Sequence, residues 1–304
     1  MSAVLRTITV LAVAAGVAGG GQSVRAAGVA VLSSSGIPAY RSAVEGFQSA
    51  LKDRGDEPPA VFELTSEDDI ATIERLRATK PQIVVSVGSR ATAAAVAIGV
   101  PYVSTMLLGE ETPQGQGSKN RLASVTLDVS PQSVFARIRQ LFPAWRRIGV
   151  IRGRSQPEPP AEEIRTAAAA LGLSVELVQC NGPKEVLEAL RSLRGRADVV
   201  WCLPNRALYQ SAMMHALILD SIRYRLPLVG FSEAFVNAGG LVGFLPDYRD
   251  IGRQTAELVR RYQGGQAPRG EERPHTIRTV VNERVVRTLG IELNAAAKGV
   301  QLVK

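Results

Sequence analysis

The sequence predicts an α/β fold built as two similar doubly wound, Rossmann-like lobes joined by a hinge. Three observations carry this. Short, nearly continuous apolar runs alternate with segments of helical period, the signature of a parallel sheet covered on both faces. The alternation runs through twice in similar order. The 304 residues are enough for about two domains at roughly 150 residues each. Composition agrees, since 45% hydrophobic and 21% charged residues are too apolar for a disordered chain and too interrupted by charge for repeated membrane spans.

The first residues set the compartment. Arg6 precedes an apolar stretch from Thr7 to Ala18, then Gly19-Gly20-Gly21 and Val24-Arg25-Ala26-Ala27. A positive start, a short apolar segment and small residues at Val24 and Ala26 are the parts of a secretory signal peptide, here residues 1–26. The stretch is shorter than the ~20 residues of a membrane span, and the glycines end it early, which disfavours an uncleaved anchor. Cleavage takes Arg6 and Arg25 from 36 basic residues and no acid, leaving 34 against 28. The remaining bases are scattered (Arg146-Arg147, Arg191, Arg194, Arg284, Arg287) with no interleaved aromatics, so they predict a solvated surface and no nucleic-acid partner. A monomeric periplasmic protein is expected.

The elements then follow in order. An apolar strand over 28–32 and a Ser-rich turn lead to a helix over about 40–54, with Val44, Phe47 and Leu51 on one face. A strand at 60–64, a helix near 69–79, a strand at 82–87, a helix from about 91 and a strand at 101–106 come next. Segment 107–120 has no periodicity and reads as a surface loop before a strand near 122–127. Ser130-Pro131, a cap followed by a proline at the first helical position, opens a helix bearing Val134, Ile138, Leu141 and Phe142. After Pro143 the pattern restarts with strand 147–151, helix 160–171, strand 174–178 and helix 184–193. Strand 198–203, helix 207–223 and strand 227–231 continue it.

A strand at 241–245 precedes a helix from Asp247 to about Gln263 whose acids sit early, whose bases sit late and which closes at Gly264-Gly265, matching the helix dipole. Strand 276–281 and a short helix over 282–289 finish the pattern. Lobe 1 is thus expected at 27–143, completed by about 240–265, and lobe 2 at 144–239, completed by about 266–304. The hinge is expected near Pro143 and near 231–240.

The chemistry of a typical enzyme is missing. The chain has no phosphate-binding Gly-x-x-x-x-Gly-Lys, no Gly-x-Gly-x-x-Gly after a strand, no His-Glu-x-x-His and no Gly-x-Ser-x-Gly elbow. Two cysteines and two histidines (His215 and His275) predict neither a disulfide scaffold nor a metal site, and no cofactor is expected. Cys180 and Cys202 fall in neighbouring βα units that a further strand would separate, so they are not expected to pair. Open α/β sheets bind ligands beyond the carboxyl ends of their strands. Here those ends carry Ser33, Ser34 and Ser35, then Gly88, Ser89 and Arg90, then Thr105 and Met106 in the first lobe. The second lobe offers Pro204 and Asn205, Phe231 and Ser232, with Tyr40 and Asp247 on adjoining helix starts. Hydroxyls and helix-start N–H groups suit a small solute, with the Gly88–Arg90 start suited to an anionic group. Each has a structural reading beside it: Ser89, Ser232 and Asp247 are good helix caps, Tyr40 fits a core, and Arg90 fits a solvated helix face.

Five stretches resemble the ABC transporter substrate-binding proteins of the type 1 periplasmic-binding fold, in the group that includes binders of tryptophan and other aromatic amino acids. They are Tyr40-Arg41-x-Ala43-Val44-Glu45-Gly46-Phe47, Pro81-Gln82-Ile83-Val84-Val85-x-Val87-Gly88-Ser89-Arg90-Ala91-Thr92 and Pro227-Leu228-Val229-Gly230-Phe231-Ser232. Leu245-Pro246-Asp247-Tyr248-x-x-Ile251-Gly252-Arg253-Gln254 and Val281-Asn282-x-x-x-Val286-x-x-Leu289-Gly290-Ile291 complete the ordered set. The resemblance implies capture of a small-molecule solute and delivery to ABC permease subunits in the inner membrane, driven by a separate ATPase. It places the ligand-facing loops on the strand ends named above. Asn205, where many members carry an acid, and the three-serine loop with Tyr40 depart from the family pattern and leave the solute open. A ligand-sensing module of a signalling system and a periplasmic α/β enzyme are the alternatives.

Overall fold

The computed structural model describes residues 28–304 apart from 66, 67, 155, 157, 158, 267 and 295. The signal peptide expected over 1–26 lies outside the described residues. In chain order the elements begin with β1 (Val29–Ser34), α1 (Pro38–Lys52), β2 (Val61–Leu64), α2 (Asp69–Ala78), β3 (Ile83–Val87), α3 (Ser89–Ile98), β4 (Tyr102–Leu107) and β5 (Arg121–Thr126). Next come α4 (Pro131–Leu141), β6 (Arg147–Gly153), α5 (Ala161–Ala169), β7 (Ser174–Cys180), α6 (Pro183–Leu193), β8 (Val199–Cys202), α7 (Ser211–Arg223) and β9 (Leu228–Gly230). The remainder is α8 (Glu233–Asn237), β10 (Val242–Pro246), α9 (Tyr248–Gln263), β11 (Glu271–Glu272), β12 (Ile277–Asn282), α10 (Glu283–Leu289) and β13 (Val300–Val303).

The strands form two sheets, ordered β11-β5-β4-β3-β1-β2 and β13-β12-β10-β9-β8-β6-β7. Every pairing is parallel except that of β12 with β10. Central strands such as β3 and β8 are buried along their whole length, which is why they read as unbroken apolar runs. On the first sheet, Tyr40, Phe47 and Leu51 of α1 and Ile251, Leu258 and Val259 of α9 cover one face, while Leu76 of α2 and Ala91 and Ala95 of α3 cover the other. On the second, one face packs against α4, α5 and α10 and the other against α6, α7 and Phe235 of α8. The α/β two-lobe fold expected from the sequence is the fold observed.

The chain crosses between lobes three times: at 127–130 between β5 and α4, at Asp247 between β10 and α9, and at 273–276 between β11 and β12. Two of these strands are tied together, since the Asp247 N–H donates to the Thr276 carbonyl at 3.0 Å. This places the junctions away from Pro143 and 231–240. Helix α4, assigned to lobe 1 from the sequence, packs Val134, Phe135, Ile138 and Leu141 into the core of the second sheet beside Val150 and Trp201. An amphipathic pattern shows that one face is buried but not which sheet buries it. Strand β10, placed with lobe 1's completing segment, hydrogen-bonds into the second sheet, whereas α9 after it lies on the first. The short elements α8, β11 and β13 have too few residues to show a period.

Candidate functional site

A cavity of about 270 Å³ lies between the lobes, beyond the carboxyl ends of the strands. Lobe 1 contributes Tyr40 from the first turn of α1, Met106 and Leu108 from the end of β4, and Glu111 from the loop after it. The first crossover adds Leu127, Asp128 and Val129. The facing wall is Trp201 and Leu203 at the end of β8, then Pro204, Asn205, Arg206 and Tyr209, with Phe231 after β9. Phe244 of β10 and Tyr248, the first residue of α9, complete it. The chain has two Trp, six Tyr and seven Phe, and six of those rings (Tyr40, Trp201, Tyr209, Phe231, Phe244 and Tyr248) line this one space. They pack on one another and on further rings: Tyr209 and Phe231 lie 5.3 Å apart between centroids, Phe231 and Phe235 5.4 Å, and Trp201 meets Phe135 edge-on at 5.5 Å.

Met106 gives the wall an unusual backbone. It sits in the left-handed region at φ 62° where the β4–β5 register shifts, and its side chain is buried. A non-glycine residue in this conformation costs on the order of 1–2 kcal/mol, so the surrounding packing holds the bulge against the local preference.

Among the described residues, three charged side chains line the cavity: Glu111, Asp128 and Arg206. Arg206 reaches across from lobe 2 to Glu111, 3.3 Å between Nη2 and Oε1. Both carboxylates also order the loop after β4. The Leu108 N–H donates to Glu111 at 3.0 Å and the Gly109 N–H to Asp128 at 2.5 Å. Burial, and then the negative charge of Glu111, push the Tyr40 phenol up, with Arg206 opposing. Burial also raises the neighbouring Glu110 carboxyl, reinforced by Asp128 and Glu111.

Of the residues proposed from sequence, Tyr40, Met106, Pro204, Asn205 and Phe231 line the cavity. The others serve the scaffold around it. Ser33 is buried with its hydroxyl on the Ser34 carbonyl, and the Ser34 hydroxyl accepts from Ala91 N–H in the first turn of α3. Ser35 is half-buried and its N–H donates to Leu64 of β2. Gly88, not Ser89, is the N-cap of α3. It takes φ 88° and lies so close under Tyr40 that a Cβ would sit 2.6 Å from the ring. Ser89 is the first helical residue and stays outside the cavity lining. Arg90 pairs with Asp69 at the start of α2, so the Gly88–Arg90 anion site expected from sequence does not open on the cavity. Thr105 is buried in β4, and Gly88 N–H donates to its carbonyl. Ser232 and Asp247 act as caps: Ser232 accepts from Phe235 N–H, and Asp247 from Arg249 and Asp250 N–H.

Sequence reasoning missed Glu111, Asp128, Trp201, Arg206, Tyr209, Phe244 and Tyr248. Tyr248 stands in the Leu245–Gln254 stretch, Trp201 in the strand over 198–203, and Glu111 in the 107–120 segment that lacks periodicity. For Tyr209 and Phe244 no linear signal exists, because facing depends on how two lobes meet. Among the described residues no group of three or more His, Cys, Asp or Glu side chains is placed to hold a metal ion, and no helix is long and apolar enough to cross a membrane. Cys180 and Cys202 are free thiols with β6 between their strands. Burial pushes them up to about 11 and about 12, which keeps both protonated near neutrality and poor nucleophiles.

The sequence pattern of the family described as ABC transporter substrate binding protein matches residues 28–298. No protein of curated function matches the chain. Among solved structures, the chain is similar to the ligand-free, open structure of a substrate binding protein with adhesive properties from Clostridium difficile, at 17% identity and TM-score 0.68 over 91% of this chain and 98% of that one. It is also similar to an ABC domain in complex with L-Trp from Streptococcus pneumonia, at 19% identity and TM-score 0.59 over 90% and 99% of the two chains. An arabinose binding protein from Geobacillus stearothermophilus shares the fold at 11% identity and TM-score 0.57, over 86% and 98%.

Proposed function

The chain belongs to the ABC transporter substrate-binding protein family, and from that premise we propose that it captures a small solute between its lobes in the periplasm and delivers it to ABC permease subunits in the inner membrane, which a separate ATPase drives. The family is one of binding proteins, not of enzymes. The observation that carries the reading is the ring-lined cavity, walled from both lobes at the strand ends. A cavity of ~150 Å³ holds benzene, so about 270 Å³ has room for a solute of roughly ten non-hydrogen atoms. Three short crossovers leave the lobes free to rotate about a common axis, the geometry of hinge closure.

Thermal-shift screening of a solute library, followed by small-angle X-ray scattering with the strongest hit, tests it. The radius of gyration is expected to fall as the solute saturates the protein. A library that yields no stabilising solute, or a radius unchanged at saturation, would contradict capture by closure.

A further inference from the structure

Resting on the solute-binding reading, we infer that the solute class of this cleft is a small organic cation with an aromatic or otherwise apolar body and no carboxylate. Among the described residues, the charges lining the cavity are two carboxylates, Glu111 and Asp128, and one guanidinium, Arg206, which is already held by Glu111. An anion would have to find N–H donors instead, and several of those at the helix starts around the cleft are engaged or turned elsewhere. In α1, Pro38 has no N–H, and those of Tyr40 and Arg41 donate to the Ile37 carbonyl. Ser89 to Ala91 of α3 and Glu233 to Phe235 of α8 do not line the cavity. Asn205 accepts from Ala207 and Leu208 N–H, and Asp247 from Arg249 and Asp250. A cation meets the opposite situation. The rings of Trp201, Tyr40, Phe231 and Tyr248 offer electron-rich surface to a positive group, and the carboxylates beside them, with Asp128 buried and Glu111 mostly so, lie in surroundings where charge counts for more than in water.

Three probes of one body separate the classes: 2-phenylethylamine, L-phenylalanine and 3-phenylpropionate, titrated by calorimetry into the full protein. 2-Phenylethylamine is expected to bind at least about tenfold more tightly than either of the others. Arg206→Ala, at a side chain that is 75% exposed and therefore tolerant of change, is expected to tighten 2-phenylethylamine binding several-fold, roughly. Glu111→Gln is expected to weaken it about tenfold. Equal or tighter binding of L-phenylalanine or 3-phenylpropionate, weakening by Arg206→Ala, or no binding of 2-phenylethylamine would overturn the cation assignment. Each of these leaves solute capture standing, which fails only when the wider library yields no ligand.

Discussion

Gly252→Ala is expected to destabilise the protein by about 3 kcal/mol or more. Propensity alone argues the other way, since alanine in a helix interior gains about 1 kcal/mol over glycine. Packing decides the sign. A Cβ at Gly252 would lie 1.9 Å from the Ala43 carbonyl oxygen and 2.6 Å from the Phe47 nitrogen, both backbone atoms of α1. Gly46 on α1 has the reciprocal relation to the Arg249 carbonyl, again at 1.9 Å. Backbone cannot rotate away as a side-chain tip can, so the two helices must part, and with them the buried contacts of Phe47, Leu51, Ile251 and Val259. Denaturant unfolding measures the loss, with Arg253→Ala at an exposed site on the same helix expected to stay within about 0.5 kcal/mol. Equal stability of Gly252→Ala and the parent would mean that α1 and α9 do not approach this closely.

Trp201→Ala is expected to lower stability by about 3–5 kcal/mol, the range for deleting a large buried ring. Trp201 is only 4% exposed, sits on β8 in the core of the second lobe and packs edge-on against Phe135 of α4, the helix that follows the first crossover. It also lines the cavity, so the same change widens the binding space and removes one of its faces. Trp201→Phe keeps a ring against Phe135 and is expected to lose less stability than the alanine variant while still weakening solute binding. Thermal unfolding and calorimetry on the two variants separate the contributions. A Trp201→Phe variant that binds as tightly as the parent would remove this ring from the site.

The two sheets were legible because their central strands are buried on both faces, so β3 and β8 appear in the sequence as unbroken apolar runs. Three caps were legible too, since Ser130, Ser232 and Asp247 each stand directly before a helical period and each accepts the N–H bonds such a position offers, whereas at α3 the cap is Gly88 and not Ser89. What the sequence concealed was allocation. The pattern of α4 is the same whichever sheet it covers, and its placement moved the first crossover to 127–130. At the cleft, polar residues at strand ends were the natural candidates. The serines at 33–35 and Ser89 instead lie at or beneath the helix starts, while the wall is largely aromatic. Tyr40 fits both a core and a ligand-facing position in the sequence, and its place above Gly88 at the cavity edge serves both.

The two tryptophans make the central claim, that a solute sits between the lobes, directly measurable. Trp201 lines the cavity, whereas Trp145 stacks on Phe142 at 4.0 Å in a separate groove of lobe 2 formed with residues 290–294. In a Trp145→Phe variant, Trp201 is the sole indole of the chain. Titrated with the tightest-binding member of the solute library, that variant is expected to show a saturable change in indole emission with the same midpoint as the calorimetric isotherm. A solute that binds by calorimetry while Trp201 emission stays constant through saturation would place the ligand elsewhere and contradict the account.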